Sequence, residues 1–208
     1  MAKPLHTDTI ISVDVETTGH IPGPYSMLSL GAVALVDGKE HSHFYAKLKE
    51  LPKSRRQPST MDFWKQFPKQ WAEATSDQHE PAEVMNAFND WIISLPGTVW
   101  TKVFAANPTS YDAGFIWYYM NRYVEEATME RAFKRFRVID IRTVISDIFD
   151  VEYSKAGRDL IPPEWSEGQA ITHNALEDAR EQAAVLVNLL AARRHLYEAA
   201  MDWMEKMG

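Results

Sequence analysis

In the run IISVDVETTG, Asp14 and Glu16 stand two residues apart in a stretch rich in β-branched types. On a strand, that spacing sends both side chains out of the same face, where they can share a cation. Two carboxylates near the end of an apolar strand are costly unless something positive neutralises them; an exposed strand edge is the plain alternative. Asp112, in FAANPTSYDAGFI, follows a predicted strand and opens a predicted helix. There Asp is also an ordinary N-terminal residue, favoured by capping and by the helix dipole. In HNALEDAREQAAVL, His173 lies in a loop or first turn, and Asp178 follows five residues later on an amphipathic helix beside Ala175, Leu176 and Ala179. Asp is a mediocre residue for a helix interior. A solvated face would explain it without chemistry, as a satisfied polar core group would explain the histidine.

The order of the set is more specific than any member. Four carboxylates and a histidine fall at the start, middle and end of the chain, in separate elements. In this the chain resembles the DEDD exonuclease superfamily, which includes proofreading exonucleases, ribonuclease T and oligoribonuclease. The family's DxE is matched by Asp14 and Glu16, its aromatic-Asp pair by Tyr111 and Asp112, and its HxxxxD by His173 and Asp178. The likeness runs from residue 10 to about residue 190. The histidine five residues before the last Asp, with Asn174 where the other branch has tyrosine, is that of the histidine branch, DEDDh. The second motif departs from the common form: Asn107 lies five rather than four residues before Asp112, and Ala106 replaces the usual histidine. That spacing, with TMDFWKQ upstream, is similar to a smaller branch of phage exonucleases and bacterial exoribonucleases.

The resemblance implies an α/β fold, a ribonuclease-H-like mixed β-sheet flanked by helices, in a single exonuclease domain over residues 1–208. It implies a metal-dependent 3′→5′ exonuclease acting on single-stranded RNA or DNA 3′ ends, RNA favoured, that releases nucleoside 5′-monophosphates. Two Mg²⁺ or Mn²⁺ ions are the expected cofactors. By the same resemblance Asp14 bridges both ions, Glu16 and Asp178 hold the one that activates water, Asp112 supports the other, and His173 is the base. Imidazole suits that role because it can be neutral near pH 7. Thr17, Thr18 and Gly19 are expected to offer main-chain donors to the terminal 3′ hydroxyl, and Asn107 belongs with them as a substrate-binding candidate. Phe63, Trp64 and Tyr111 are candidates to stack on terminal bases, each stack contributing about 1–3 kcal/mol; core packing competes for Phe63 and Trp64. Two other functions fit part of the set. One is a phosphohydrolase of nucleotides or very short oligonucleotides. The other is a protein that binds nucleic-acid ends without cutting, which would lack one of the five residues, and all five are present.

Composition narrows the chemistry. The absence of cysteine removes thiol nucleophiles, disulfides and zinc-thiolate sites, so hard oxygen donors must carry any metal and favour Mg²⁺ or Mn²⁺ over zinc. A formal charge of −7 argues against broad coating of duplex nucleic acid and leaves short or end-directed substrates. No leader-like start and no apolar run of about 20 residues is present, so no membrane association and a cytoplasmic setting are expected.

The elements that must position these residues follow from the patterning. Strands are predicted over 9–15, 27–36 and 43–48, the last two joined by a turn at Asp37-Gly38, forming a meander. Residues 59–66 predict a short helix, and the apolar stripe Val84, Phe88, Trp91, Ile92, Leu95 predicts another, begun by Pro81 and stopped by Gly97. A strand is expected over 98–106, a helix over 112–124, a strand near 137–140, a helix over about 141–149, and a long helix from about Asn174 to beyond Leu196. Apolar Met201, Trp203, Met204 and Met207 near the end of that helix offer a homodimer surface.

Overall fold

A computed structural model describes residues 8–134, 136–166 and 172–207. Five strands form one mixed sheet: β1 (Thr9–Thr17), β2 (Met27–Val36), β3 (Lys39–Lys47), β4 (Lys102–Ala106) and β5 (Val138–Asp140), in the order β3-β2-β1-β4-β5. β2 runs antiparallel to both β1 and β3, whereas β4 lies parallel to β1 and β5 parallel to β4. β1 is therefore central. Its two faces are both covered, so it is buried almost throughout although only Ile10, Ile11, Val13 and Val15 are apolar. Ile11, Val13 and Val15 pack with Phe88 of α3 (Pro81–Ser94) and Phe115 of α4 (Thr109–Tyr123). Ile10 faces the other way, onto Ile141 and Ile145 of α6 (Ile141–Ile148) and Leu186 and Leu189 of α7 (Ala175–Met207). Helices on both faces of a mixed sheet make the ribonuclease-H-like α/β fold that the motifs implied.

Where the elements differ from expectation, local bonding explains the shift. β3 starts at Lys39, because Asp37 (φ 51°) and Gly38 (φ 74°) form a two-residue hairpin turn whose left-handed geometry lets pairing resume at once. β4 is shorter than expected because Thr101 Oγ1 accepts the Thr98 N–H and ties 98–101 into a turn. α4 begins at Thr109, whose N–H is held by Asp140 Oδ2 at 2.9 Å. Helices α1 (Pro58–Trp64), α2 (Pro68–Ala74) and α5 (Glu126–Ala132) are each seven residues long. Neither α2 nor α5 was expected, since so short a helix shows no repeated apolar stripe. α7 spans 33 residues, buries side chains from Ala175 to Leu190, and runs on exposed to Met207. Among the described residues no helix is long and apolar enough to cross a membrane.

One glycine sets the approach of α7. Gly31 pairs with Asp14 across the β1–β2 ladder, and a Cβ there would fall 2.1 Å from the Ala175 carbonyl oxygen. Without a side chain at Gly31, the first turn of α7 lies directly on the sheet, beside the carboxylates of β1.

Candidate active site

Ser12, Asp14 and Glu16 share the face of β1 that carries Ile10, so both carboxylates emerge beneath α7. Glu16 is buried, and Asp14 keeps part of its surface open to a cleft. From the other side, α4 presents Asp112, whose Oδ1 accepts the backbone N–H of Val15 at 3.0 Å. Asp112 is thus no simple cap. Asp140, the N-cap of α6, sets its position by accepting N–H groups from both Thr109 and Thr143, and despite partial burial these bonds hold its carboxyl below the usual range.

α7 supplies the third group. Asn174 caps it, with Oδ1 accepting from Leu176 N at 3.1 Å and Glu177 N at 3.2 Å. Its amide donates to the Tyr45 hydroxyl, which in turn donates to Glu73 of α2. Ahead of the cap, His173 takes a left-handed backbone (φ 54°). Asp178 reaches back to hold that turn: Oδ1 accepts from Thr172 N at 2.7 Å and Oδ2 from His173 N at 2.9 Å. The His173 ring meets Phe63 and Phe67 edge to face, with centroids 4.9 and 4.3 Å apart. Ligand atoms of Glu16, His173 and Asp178 lie within 4.8 Å of one another. One turn beyond Asp178, Gln182 Nε2 donates to Asp14 Oδ1 at 2.8 Å.

The electrostatics are those of crowded negative charge. Burial, and then the nearby Asp112, Glu16 and Asp178, push the Asp14 carboxyl well above its ordinary range, with the Gln182 bond opposing. Burial and the Asp178 and Asp112 charges raise Glu16 to about 8. Burial lifts Asp112 to about 7 against the Val15 bond. Such a set asks for positive charge. The donors fit hard divalent cations, being carboxylate oxygens with an imidazole at their edge, and Gln182 Oε1 is buried with no hydrogen-bond partner among the described residues.

Two cavities adjoin the carboxylates. One, of about 380 Å³, is lined by Glu16, Thr17, His20, Phe63, Trp64 and Tyr111. The other, of about 140 Å³, is lined by Asp14, Asn107, Arg158, Asp178, Glu181 and Gln182 together with aliphatic residues.

A family model described as the 3′-5′ exoribonuclease Rv2179c-like domain matches residues 9–190. The chain belongs to this family. Among curated proteins it is similar to the 3′-5′ DNA exonuclease Cap18 of Escherichia coli, 28% identical over 200 residues that cover 91% of this chain and 96% of that one. Solved structures share the fold. The nuclease domain of 3′hExo, a DEDDh family member bound to rAMP, superposes with a TM-score of 0.64 at 13% identity, covering 89% of this chain and 93% of that one. S. pombe Pop2p in its Mg²⁺- and Mn²⁺-bound form gives 0.63 at 12% identity, over 88% and 82%. The zinc-bound E. coli ExoI–ssDNA complex gives 0.68 at 12% identity over 95% of this chain and 43% of that longer one.

In this Rv2179c-like domain all five residues of the three motifs converge, from β1, α4 and the entry to α7. Thr17, Phe63, Trp64 and Tyr111 gather around the larger cavity. Tyr111 Oη lies 2.5 Å from Thr17 Oγ1, while Trp64 is only 4% exposed and donates its ring N–H to the Thr17 carbonyl. Asn107 is exposed and lines the smaller cavity instead. Thr18 and Gly19 are occupied within their turn, Thr18 N bonding Ser26 O and Gly19 N bonding Thr17 Oγ1. Sequence reasoning missed Gln182, Asp140 and Gly31. Only Gln182 left a trace, four residues after Asp178 and so on the same helical face.

Proposed function

We propose that Asp14, Glu16, Asp112 and Asp178 hold two divalent cations, Mg²⁺ or Mn²⁺, and that His173 is the general base of a 3′-5′ exonuclease in which residues 1–208 act as one domain. The substrate is the 3′ end of a single strand, RNA in preference to DNA, and the products are nucleoside 5′-monophosphates. The supporting observation is the convergence of four carboxylates and one imidazole from β1, α4 and the entry to α7, with Glu16 raised to about 8 by burial and the Asp178 and Asp112 charges, and Asp112 raised to about 7 by burial. When bound, the cations supply charge neutralisation at the attacking water and the departing 3′ oxygen.

The remaining tasks fall to the chain. His173 takes the proton of the attacking water on a ring nitrogen, and the edges of Phe63 and Phe67 fix the ring plane. The larger cavity receives the terminal nucleoside, with Tyr111 and Phe63 against the base and the Thr17 hydroxyl at its floor. Thr18 and Gly19 shape that floor through their internally bonded turn. The exposed end of α7, with Met201, Trp203, Met204 and Met207, is taken as the homodimer surface; sedimentation of the chain and of a version shortened after His195 tests it.

The preference for RNA rests on the family description, and the E. coli relative named a DNA exonuclease favours the opposite sugar. A time course on 5′-labelled single-stranded RNA and DNA, with Mn²⁺ or with EDTA, decides. Metal-dependent laddering from the 3′ end, faster on RNA, is expected. Equal or faster DNA laddering overturns the sugar assignment, and no laddering on either overturns the whole proposal.

A further inference from the structure

Three segments contribute to the lining of the larger cavity and carry almost no acid. Residues 17–36, 51–61 and 109–124 include a single carboxylate, the buried Asp112, in a chain with 29 acidic residues and a formal charge of −7. The same segments hold Lys53, Arg55, Arg56 and Arg122, of which Arg56 is paired with Glu50. The smaller cavity is the opposite, with Asp14, Asp178 and Glu181 in its wall. Negative charge is thus concentrated at the carboxylate cluster and cleared from the surface beside the larger cavity.

Contacts join these segments into one surface. Tyr111 donates its hydroxyl to the Gly19 carbonyl at 3.4 Å, and a Cβ on Gly23 would meet Tyr118 Oη at 3.3 Å, so the loop after β1 lies along α4. Arg55 is tied to the same loop: its N–H donates to the Pro24 carbonyl at 2.8 Å, and its guanidinium stands 6.0 Å from the centre of the Tyr25 ring. Along α4, Tyr111, Gly114, Tyr118 and Arg122 form one helical stripe about 16 Å long. Past Tyr111 the stripe opens into a groove of about 500 Å³ lined by Gly114, Trp117, Tyr118, Asn121 and Arg122, and no atom lies within 4 Å of where a Cβ on Gly114 would stand. Trp117 is 38% exposed there. Arg122 donates to the hydroxyls of Tyr118 at 3.3 Å and Tyr123 at 3.2 Å, neutral partners that orient the guanidinium without cancelling its charge. Arginines held against tyrosines and interleaved with open aromatic faces suit the phosphates and bases of a single strand.

We infer that the strand upstream of the cleaved end lies across this surface, with Arg55 and Arg122 on its phosphates and Trp117 under a base. The choice of strand rests on the nuclease reading above. The test uses the full chain and fluorescence anisotropy on a 5′-labelled single strand of about ten nucleotides, with Ca²⁺ in place of Mn²⁺, across a salt series. Arg55→Ala and Arg122→Ala should each weaken binding about threefold to tenfold and lower the slope of log Kd against log salt by about 0.7, with the double variant showing both losses. Lys39→Ala, which removes the same charge at the exposed start of β3, should leave the slope unchanged. Trp117→Leu keeps an apolar side chain against Phe136 and should weaken binding with no change of slope, since stacking releases no counterions. With Mn²⁺, the advantage in kcat/KM of the long strand over a dinucleotide should shrink in the double variant. Slopes that do not move in the arginine variants, or that move equally in Lys39→Ala, overturn the surface in an enzyme that still cleaves. A wild type that binds with the expected slopes yet cleaves neither substrate supports the surface and overturns the nuclease reading instead.

Discussion

The backbone N–H of Val15 donates to Asp112 Oδ1 at 3.0 Å, joining two carboxylate motifs that lie 97 residues apart. The donor sits between Asp14 and Glu16, so the bond fixes the end of β1 against the start of α4 and aims a third carboxylate at the first two. Geometry and charge at Asp112 are therefore separable. Asp112→Asn keeps an acceptor for Val15 and removes the charge, whereas Asp112→Ala leaves that N–H unsatisfied, at a cost of about 1–3 kcal/mol. In EDTA near pH 8, the Asn variant should melt at or above the wild type and the Ala variant below it. Both should lose activity and most of the stabilisation by Mn²⁺. A wild-type Mn²⁺ response in Asp112→Asn would remove Asp112 from the metal site.

The raised carboxyls predict an unusual pH profile for the metal-free protein. In the unfolded chain Glu16 and Asp112 titrate near 4, but in the fold at about 8 and about 7. Between those limits the native state keeps protons that the unfolded state has lost, so stability falls as pH rises. The contribution is complete below about pH 4 and gone above about pH 8. Melting in EDTA should therefore drop from about pH 5 to about pH 8, and Mn²⁺ should restore more stability at the upper end, where it no longer competes with protons. A flat EDTA profile, or a larger Mn²⁺ effect at the acid end, contradicts the burial of this charge.

Much of the candidate site was legible because its members obey local periodicities. Asp14 and Glu16 share a face by strand alternation, and Asp178 lies in the first turns of a helix whose N-cap, Asn174, is itself readable. What sequence could not give were contacts made by tertiary approach: the Gly31 gap that admits Ala175, the Asp140 bond that starts α4 three residues early, and the Gln182 bond to Asp14. The central strands were readable from their apolar runs. The short α2 and α5 were not, since seven residues cannot repeat a stripe.

His173 owes its orientation to main-chain bonding at Asp178 and to ring edges at Phe63 and Phe67, so removing its side chain disturbs little else. His173→Ala should lower kcat by about 10²–10⁴-fold, as expected for loss of a general base. Its melting temperature with Mn²⁺ should stay above that in EDTA. Phe63→Ala, which frees one side of the ring, should lower kcat by a smaller factor. Wild-type turnover in His173→Ala removes it as the base.

Trp64 distinguishes support from stacking. It lines the larger cavity, yet it is 4% exposed and its Nε1 donates to the Thr17 carbonyl at 3.0 Å. So little open surface leaves a base scant area to stack on, while the buried bond ties α1 to the end of β1 just past Glu16. Trp64→Phe keeps an aromatic ring and deletes the donor. It should cost about 1–3 kcal/mol of stability in chemical unfolding without substrate, from the orphaned Thr17 carbonyl and the lost packing. Half-buried Phe63 should behave oppositely, with Phe63→Ala raising KM for oligonucleotides more than it lowers stability. If Trp64→Phe unfolds like the wild type but binds substrate poorly, the two aromatics have exchanged these roles.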